Sequence, residues 1–482
     1  MNYRKYLFLL LFFCCAVQAQ LPPPLAQALA RAGIPESGVG IYVHETGATQ
    51  ALVAHRAEQP FNPASVMKLV TTYAGLELLG PAYQWNTHLY TDGAVQRDVL
   101  AGNLYLKGGG DPKLVIEQFW LLLRALRNKG VREIRGDLVL DRGLFTTEHP
   151  DPGRFDEEPT APYNTTPDSL LANFKTFTLT FAPDEEARAV KISADPALPQ
   201  LQIVNNLTLV NGPCGAWLNR LKVHVQDSGD SARLVFSGPY SAQCGEQFEY
   251  YSVMSHRGYV AALFQYLWRE LGGEFKGRVR EAETNGSSVK LVTQRSPALA
   301  EIVRDINKFS NNVMARQLLL TLGATFDASS GAATPERGVS AVRQFLVGKG
   351  IPMQQLVLEN GSGLSRIERV SARDLGQMLL AAYRSPVMPE FMASMPVVGV
   401  DGTMKRRLNG SNVSGRAHIK TGLLTGVRAL GGYVLDARGR RVVTVMLINH
   451  GNAHNANLVQ DALLRWVHGR EDETAAGIAS RQ

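Results

Sequence analysis

The sequence predicts an α+β fold in which helices pack on an antiparallel sheet and a large β-rich stretch is inserted between the two halves of the chain. Three observations predict it: strand pairs joined by short turns stand near both ends, amphipathic helices lie beside them, and short strands crowd the middle. The composition agrees. With 482 residues, 45% hydrophobic and 19% charged, the chain is excluded from the disordered, collagen-like and coiled-coil classes and has material for two or three domains.

Taken in order, the chain opens with Arg4 and Lys5, an apolar run from Tyr6 to Val17, and the small-residue cleavage signal Val17-Gln18-Ala19. This pattern predicts a secretory signal peptide over 1–19. The run is short for a membrane span and no stretch of about 18 apolar residues follows it, so a soluble, exported, periplasmic protein without an integral span is expected. Cys14 and Cys15 leave with the signal. GVGIYV (Gly38 to Val43) and ATQALVAH (Ala48 to His55), separated by Glu45-Thr46-Gly47, predict a hairpin. ALGGYVLD and RRVVTVMLIN, flanking Ala437-Arg438-Gly439, predict a second, and Ala456 to His468 predicts a terminal helix. The terminal hairpins are expected to share one antiparallel sheet. Between residues 86 and 265, runs such as GNLYLKG, GDLVLD, TFTLTFAP and ARLVFSG predict strands, with helices over Val115 to Lys129 and Tyr259 to Leu271. That region comprises one or two subdomains. The end, 471–482, is expected to be a disordered tail.

The net charge of +7 is modest and gathers in no Lys/Arg block, so it gives no nucleic-acid signature. Cys214 and Cys244 remain after export, and two cysteines in an oxidising compartment are expected to form one disulfide. None of the ten histidines falls in an HExxH arrangement, and His450 and His454 flank a loop. No metal or cofactor is expected.

FNPASVMKLVTTYAGLELLGP predicts a helix with Asn62 as N-cap, Pro63 at the first helical position, Val66, Leu69, Val70 and Tyr73 on one face, and Gly80-Pro81 as its stop. Ser65 and Lys68 then lie one turn apart in the first turn. A serine hydroxyl becomes a nucleophile when a neighbouring base takes its proton, and a lysine kept neutral by burial or by another cation can do so. By itself the pair is far more often an ordinary surface Ser and Lys, since Ser-x-x-Lys arises frequently by chance. Helical spacing at Leu299, Ile302, Val303 and Ile306 breaks at KFSNN, which places Ser310, Asn311 and Asn312 on a turn, where a plain capping role competes with a catalytic one. Finally, RAHIKTGLLTG puts Lys420, Thr421 and Gly422 on a strand, with no side chain at Gly422 to obstruct an approaching substrate backbone.

In this order the three elements are the Ser-x-x-Lys, Ser-x-Asn and Lys-Thr-Gly set of penicillin-binding proteins and β-lactamases. FNPASVMKLVTTYAGLELLGPAYQWNTHLYTDG, GNLYLKGGGDPKL, NGSGLSR and the long interval between the first two elements resemble the D-alanyl-D-alanine carboxypeptidase/endopeptidase family, the class C low-molecular-mass penicillin-binding proteins. The resemblance covers nearly the whole mature chain. Asn360 departs from it, standing where the family has Asp before Gly-Ser-Gly-Leu-Ser-Arg.

The resemblance implies a transpeptidase/β-lactamase-like catalytic domain built from 20–85 and 266–470, with 86–265 inserted. It implies that Ser65 is acylated by the penultimate D-Ala, that Lys68 is its base, and that Ser310 and Asn312 relay protons and hold substrate. Lys420 and Thr421 would bind the terminal carboxylate, and the backbone N–H groups of Ser65 and Leu423 would form the oxyanion hole. Arg366 and Asp156 fall where relatives face the carboxylate and amine of a diaminopimelate side chain. The implied partners are peptidoglycan stem peptides and cross-links, and β-lactam antibiotics. Two alternatives stay open: a class C-like β-lactamase, disfavoured by Ser310 where such enzymes have Tyr, and a catalytically silent wall-binding or β-lactam-sensing protein.

Overall fold

The computed structural model describes residues 21–147, 151–326 and 331–470. The expected signal peptide and tail lie outside the described residues.

The two terminal hairpins do share one sheet. Its five antiparallel strands run in the order Val53–His55, Val39–Glu45, Arg441–Asn449, Val427–Leu435, Ala417–Leu424. Strand side chains alternate between faces, so a sheet covered on both sides needs apolar residues at every position. Arg441–Asn449 meets that need with Val442, Val443 and Val445 to Ile448, interrupted only by the buried Thr444. Val443, Val445 and Leu447 join one core with the helices Lys68–Leu79, Leu299–Phe309, Asn312–Phe326 and Ala372–Tyr383, while Val442, Met446 and Ile448 join another under Pro23–Ala32 and Asn457–Gly469. The result is a helix–sheet–helix sandwich with the strand Ala417–Leu424 left as its edge.

A third core spans residues Leu89 to Val292 and gathers both helices read from the middle of the chain, seen here as Ile116–Asn128 and His256–Glu270. The expected limit at residue 265 falls inside the second of these helices. Strand pairing continues past it: Val279–Glu281 lies parallel to Leu138–Asp141, and Val289–Arg295 lies antiparallel to Asn86–Thr91. The inserted region therefore pairs its own beginning with its own end, and the chain returns to the sandwich only after Arg295. Within it, Cys214 and Cys244 form a disulfide, with Cα atoms 4.6 Å apart. Among the described residues no helix is long and apolar enough to cross a membrane, and no cluster of His, Cys, Asp and Glu is arranged to hold a metal.

Candidate active site

The Ser65 helix starts differently from the sequence expectation. Pro63, not Asn62, takes the N-cap position and makes no side-chain cap; Asn62 stands one residue further back, its Oδ1 accepting the Ala64 N–H at 2.8 Å, and the first turn is a 3-10 helix, Ala64–Met67. The cause is Ala64, whose φ of 45° is left-handed and interrupts the helix. Such geometry costs a non-glycine residue energy and persists where packing over-determines it. Ala64 is fully buried, held among Phe155, Leu364, Leu424 and Val427. In a 3-10 turn side chains at i and i+3 eclipse. That stacks Ser65 over Lys68 and brings Lys68 Nζ to 2.9 Å from Ser65 Oγ.

Lys68 is wholly enclosed. Its Nζ also donates to Asn312 Oδ1 at 2.7 Å and to the Ser362 carbonyl. Burial pushes its pKa well below that of an ordinary lysine, and the charges of Lys420 and Arg316 push the same way, against the weaker opposing pull of Glu368.

The turn expected between two helices is present. Leu299–Phe309 ends because Ser310 adopts a left-handed conformation, φ 58°, and the Asn311 side chain, not that of Ser310 or Asn312, caps the following helix by accepting the Met314 N–H at 3.0 Å. Capping is thus assigned to the middle residue, which frees Ser310 and Asn312 to face the cleft. Asn312 Nδ2 donates to the Tyr163 carbonyl at 3.3 Å, joining the inserted region to the site.

Lys420 reaches the same turn. It is fully buried, and its Nζ lies 2.9 Å from Ser310 Oγ and 2.8 Å from the Thr421 carbonyl. Burial lowers its pKa to about 7. At Gly422 the open space expected for a substrate backbone is taken by the protein: an added Cβ would come 2.4 Å from the Pro63 carbonyl oxygen. The missing side chain lets the edge strand close onto the Ser65 turn. Leu423, 61% exposed, turns its side chain to solvent.

Arg366 and Asp156 are brought to the rim of this cleft and held separately. The Arg366 guanidinium lies 4.5 Å from the Phe155 ring centre, and Asp156 accepts from Tyr163 Oη at 2.9 Å and from Asn164 Nδ2 at 2.7 Å. Several neighbours were not legible in the sequence. Asn360 Oδ1 accepts both the N–H of Ser362 at 3.0 Å and its hydroxyl at 2.7 Å, and Asn360 Nδ2 donates to the Leu364 carbonyl. The buried Glu368 and the Arg316 charge bear on Lys68, and Thr403 touches Thr421. The motif NGSGLSR marked the loop, yet the Ser362 contact to Lys68 is made by a backbone carbonyl, which no side-chain pattern announces.

Comparison with known proteins identifies the family. Residues 22–469 match the model of the D-Ala-D-Ala carboxypeptidase 3 (S13) family. The chain is 29% identical over 440 residues to the D-alanyl-D-alanine carboxypeptidase of Actinomadura sp. (strain R39), covering 88% of this chain and 80% of that protein. It is 28% identical over 420 residues to D-alanyl-D-alanine carboxypeptidase DacB of Haemophilus influenzae, covering 86% of each. The crystal structure of penicillin binding protein 4 (dacB) from Haemophilus influenzae superposes with a TM-score of 0.79 at 25% identity, covering 92% of this chain and 99% of that one. The chain belongs to the D-Ala-D-Ala carboxypeptidase 3 (S13) family and is, with it, a serine-type D-Ala-D-Ala carboxypeptidase.

Proposed function

We propose that this enzyme cleaves D-Ala-D-Ala termini and D,D-cross-links of peptidoglycan peptides through an acyl-enzyme on Ser65, and that β-lactams acylate the same serine. The observation that carries this reading is the coordination of Lys68. A neutral amine has two hydrogens and one lone pair. Two neighbours of its Nζ, Asn312 Oδ1 and the Ser362 carbonyl, can only accept, whereas Ser65 Oγ can accept or donate; with Lys68 neutral, its two hydrogens go to the first two and its lone pair faces the Ser65 hydroxyl.

In the forward step Lys68 takes that proton as Ser65 Oγ bonds to the carbonyl carbon of the penultimate D-Ala. The oxyanion is held by the backbone N–H groups of Ser65 and Leu423. The C–N bond then breaks, the proton passes from Lys68 by way of Ser310 to the departing amine, and the acyl group remains as an ester. Water, giving its proton to Lys68, hydrolyses it. Lys420 as an ammonium, with Thr421, takes the terminal carboxylate.

The reading extends to cross-links because a cavity of about 400 Å³ opens beside Ser310 and Asn312, walled by Tyr163, Phe174, Tyr250 and Phe309. That is space for a peptide larger than one departing D-Ala. Export fits the leader-like sequence at 1–19 and the disulfide of the inserted region.

The test is turnover of a D-Ala-D-Ala peptide and of a cross-linked dimer, with mass spectrometry of the penicillin adduct. An adduct on Ser65, lost together with turnover in Ser65→Ala, supports the reading. An adduct elsewhere ends it.

A further inference from the structure

A terminal carboxylate carries two oxygens with about four acceptor sites, and it is read best by several fixed donors. The edge strand supplies few of them. Lys420 contributes one buried cation already engaged with Ser310 and the Thr421 carbonyl, Thr421 contributes one hydroxyl, and Leu423 contributes no polar side chain. A second hydroxyl comes from outside the strand: Thr403 Oγ1 lies 2.9 Å from Thr421 Oγ1, and Thr403 is exposed toward solvent.

The segment that presents Thr403 is fixed at several points. Both carboxylate oxygens of Asp401 bond to Lys308 Nζ, at 2.9 and 2.6 Å, and Asp401 Oδ1 also accepts the Val397 N–H at 2.8 Å. Lys308 lies two residues before Ser310 on the same helix, so this ion pair ties the Thr403 segment to the turn that carries the catalytic pair. Gly402, with φ 54°, completes the closure, because an added Cβ would stand 2.6 Å from the Lys308 carbonyl. The strand itself is bonded back to this segment through the Ile419 N–H and the Pro396 carbonyl, 2.8 Å apart. Two hydroxyls held this way share one hydrogen bond in the free enzyme, leaving a single O–H to offer. An arriving carboxylate can draw both.

We infer that Thr403 is a specificity-determining residue that, beside Thr421, recognises the free terminal carboxylate of the substrate, and that the Lys308–Asp401 pair is the positioning contact that sets it there. The inference rests on the reading of Lys420 and Thr421 as the carboxylate site.

The experiment compares kcat/KM for a peptide ending in free D-Ala-D-Ala with that for its C-terminal amide, in wild type, Thr403→Val, Thr403→Ser and Asp401→Asn. Losing one hydrogen bond to a charged group costs roughly ten- to a hundredfold. Thr403→Val is expected to lose that factor on the free acid and less on the amide, so that the acid-to-amide ratio of kcat/KM falls. Thr403→Ser, which keeps the hydroxyl, is expected to restore the acid preference. Asp401→Asn should show the same selective loss to a smaller degree. An unchanged acid-to-amide ratio in Thr403→Val overturns the role of Thr403, and equal loss on both substrates in Asp401→Asn overturns the positioning role. A wild-type enzyme that cleaves acid and amide at one rate instead refutes the carboxylate reading of Lys420 and Thr421, so the two failures are told apart.

Discussion

The fully buried carboxylate of Glu368 accepts the backbone N–H of Asn360 at 3.1 Å, and with the same oxygen that of Glu359 at 3.0 Å. Through Asn360 this carboxylate sets the loop whose Ser362 carbonyl faces Lys68, so an interior acid governs how the amine proposed as the base is held. Glu368→Ala would take the acceptor from two part-buried N–H groups, each costing up to about 1–3 kcal/mol. We expect Glu368→Ala to lower unfolding free energy by roughly 2–4 kcal/mol on that scale and to slow penicillin acylation. Glu368→Gln, which keeps an acceptor oxygen, should recover most of the stability. Denaturant melts of the two variants check it, and equal losses would show that the contact to the two N–H groups is not what matters.

In the proposed mechanism the pH dependence follows from two lysines needed in opposite states. Lys68 works as the neutral amine, so activity is lost on acidification below its depressed pKa. Lys420 works as the ammonium, so activity is lost as pH rises through its pKa of about 7. The kcat/KM profile of the free enzyme is therefore a bell with its alkaline limb near neutrality. Bound carboxylate stabilises the Lys420 charge, which moves that limb to higher pH in the kcat profile. In Lys420→Arg the cation cannot be titrated away in this range. The rate is expected to fall, because the larger guanidinium must fit beside Ser310, while the alkaline limb disappears. A limb that stayed near neutrality in Lys420→Arg would belong to another group.

Ser65, Lys68, Ser310, Asn312 and Lys420 were legible in the sequence because each is tied to a local pattern: an i, i+3 pair, a break in apolar spacing, a strand with a glycine. What the sequence concealed depended on non-local packing. The helix start was misread because propensity rules reserve a left-handed conformation for Gly or Asn, whereas here the enclosure of Ala64 imposes it. That strand pairing continues past residue 265 leaves no mark in the sequence, because Glu274–Phe275 and Val279–Glu281 are too short to show a period of two and their partners lie more than a hundred residues back. Gly422 looked like an opening to substrate because the Pro63 carbonyl that fills it arrives from the far end of the chain.

The disulfide between Cys214 and Cys244 closes a loop of sequence separation 30 inside the inserted region. Loop-closure entropy assigns such a bridge about 3–4 kcal/mol. We expect the double variant Cys214→Ser/Cys244→Ser to unfold at lower denaturant while its folded fraction keeps wild-type kcat/KM on a soluble peptide. Non-reducing peptide mapping of the wild type checks the bridge directly, and two thiols titratable after unfolding without reductant would reject it.

Substrate side-chain choice is the remaining prediction, and it turns on Phe155. This ring packs against Ala64, Leu364, Leu424 and Val427 beside the Ser65 turn, and the Arg366 guanidinium lies over it. The neighbouring Asp156 is tethered by Tyr163 and Asn164, and the carbonyl of that Tyr163 is bonded to Asn312. A guanidinium over the Phe155 ring and the carboxylate of the adjoining Asp156, both tied to residues next to the reaction, suit a side chain that ends in an amine and a carboxylate on one carbon. The two charges are held by different partners, so a diaminopimelate end can engage both with charge-assisted hydrogen bonds. We predict a preference for peptides with a free diaminopimelate end over lysine-containing or capped analogues. Asp156→Asn should weaken the response to the amine and Arg366→Ala the response to the carboxylate, each by about ten- to a hundredfold in kcat/KM on the scale of one such bond. Because Arg366 also covers Phe155, Arg366→Lys serves as the control that keeps charge without the planar stacking. Equal wild-type rates on all these peptides, or a preference that survives both Asp156→Asn and Arg366→Ala, would mean that the pair does not grip the substrate.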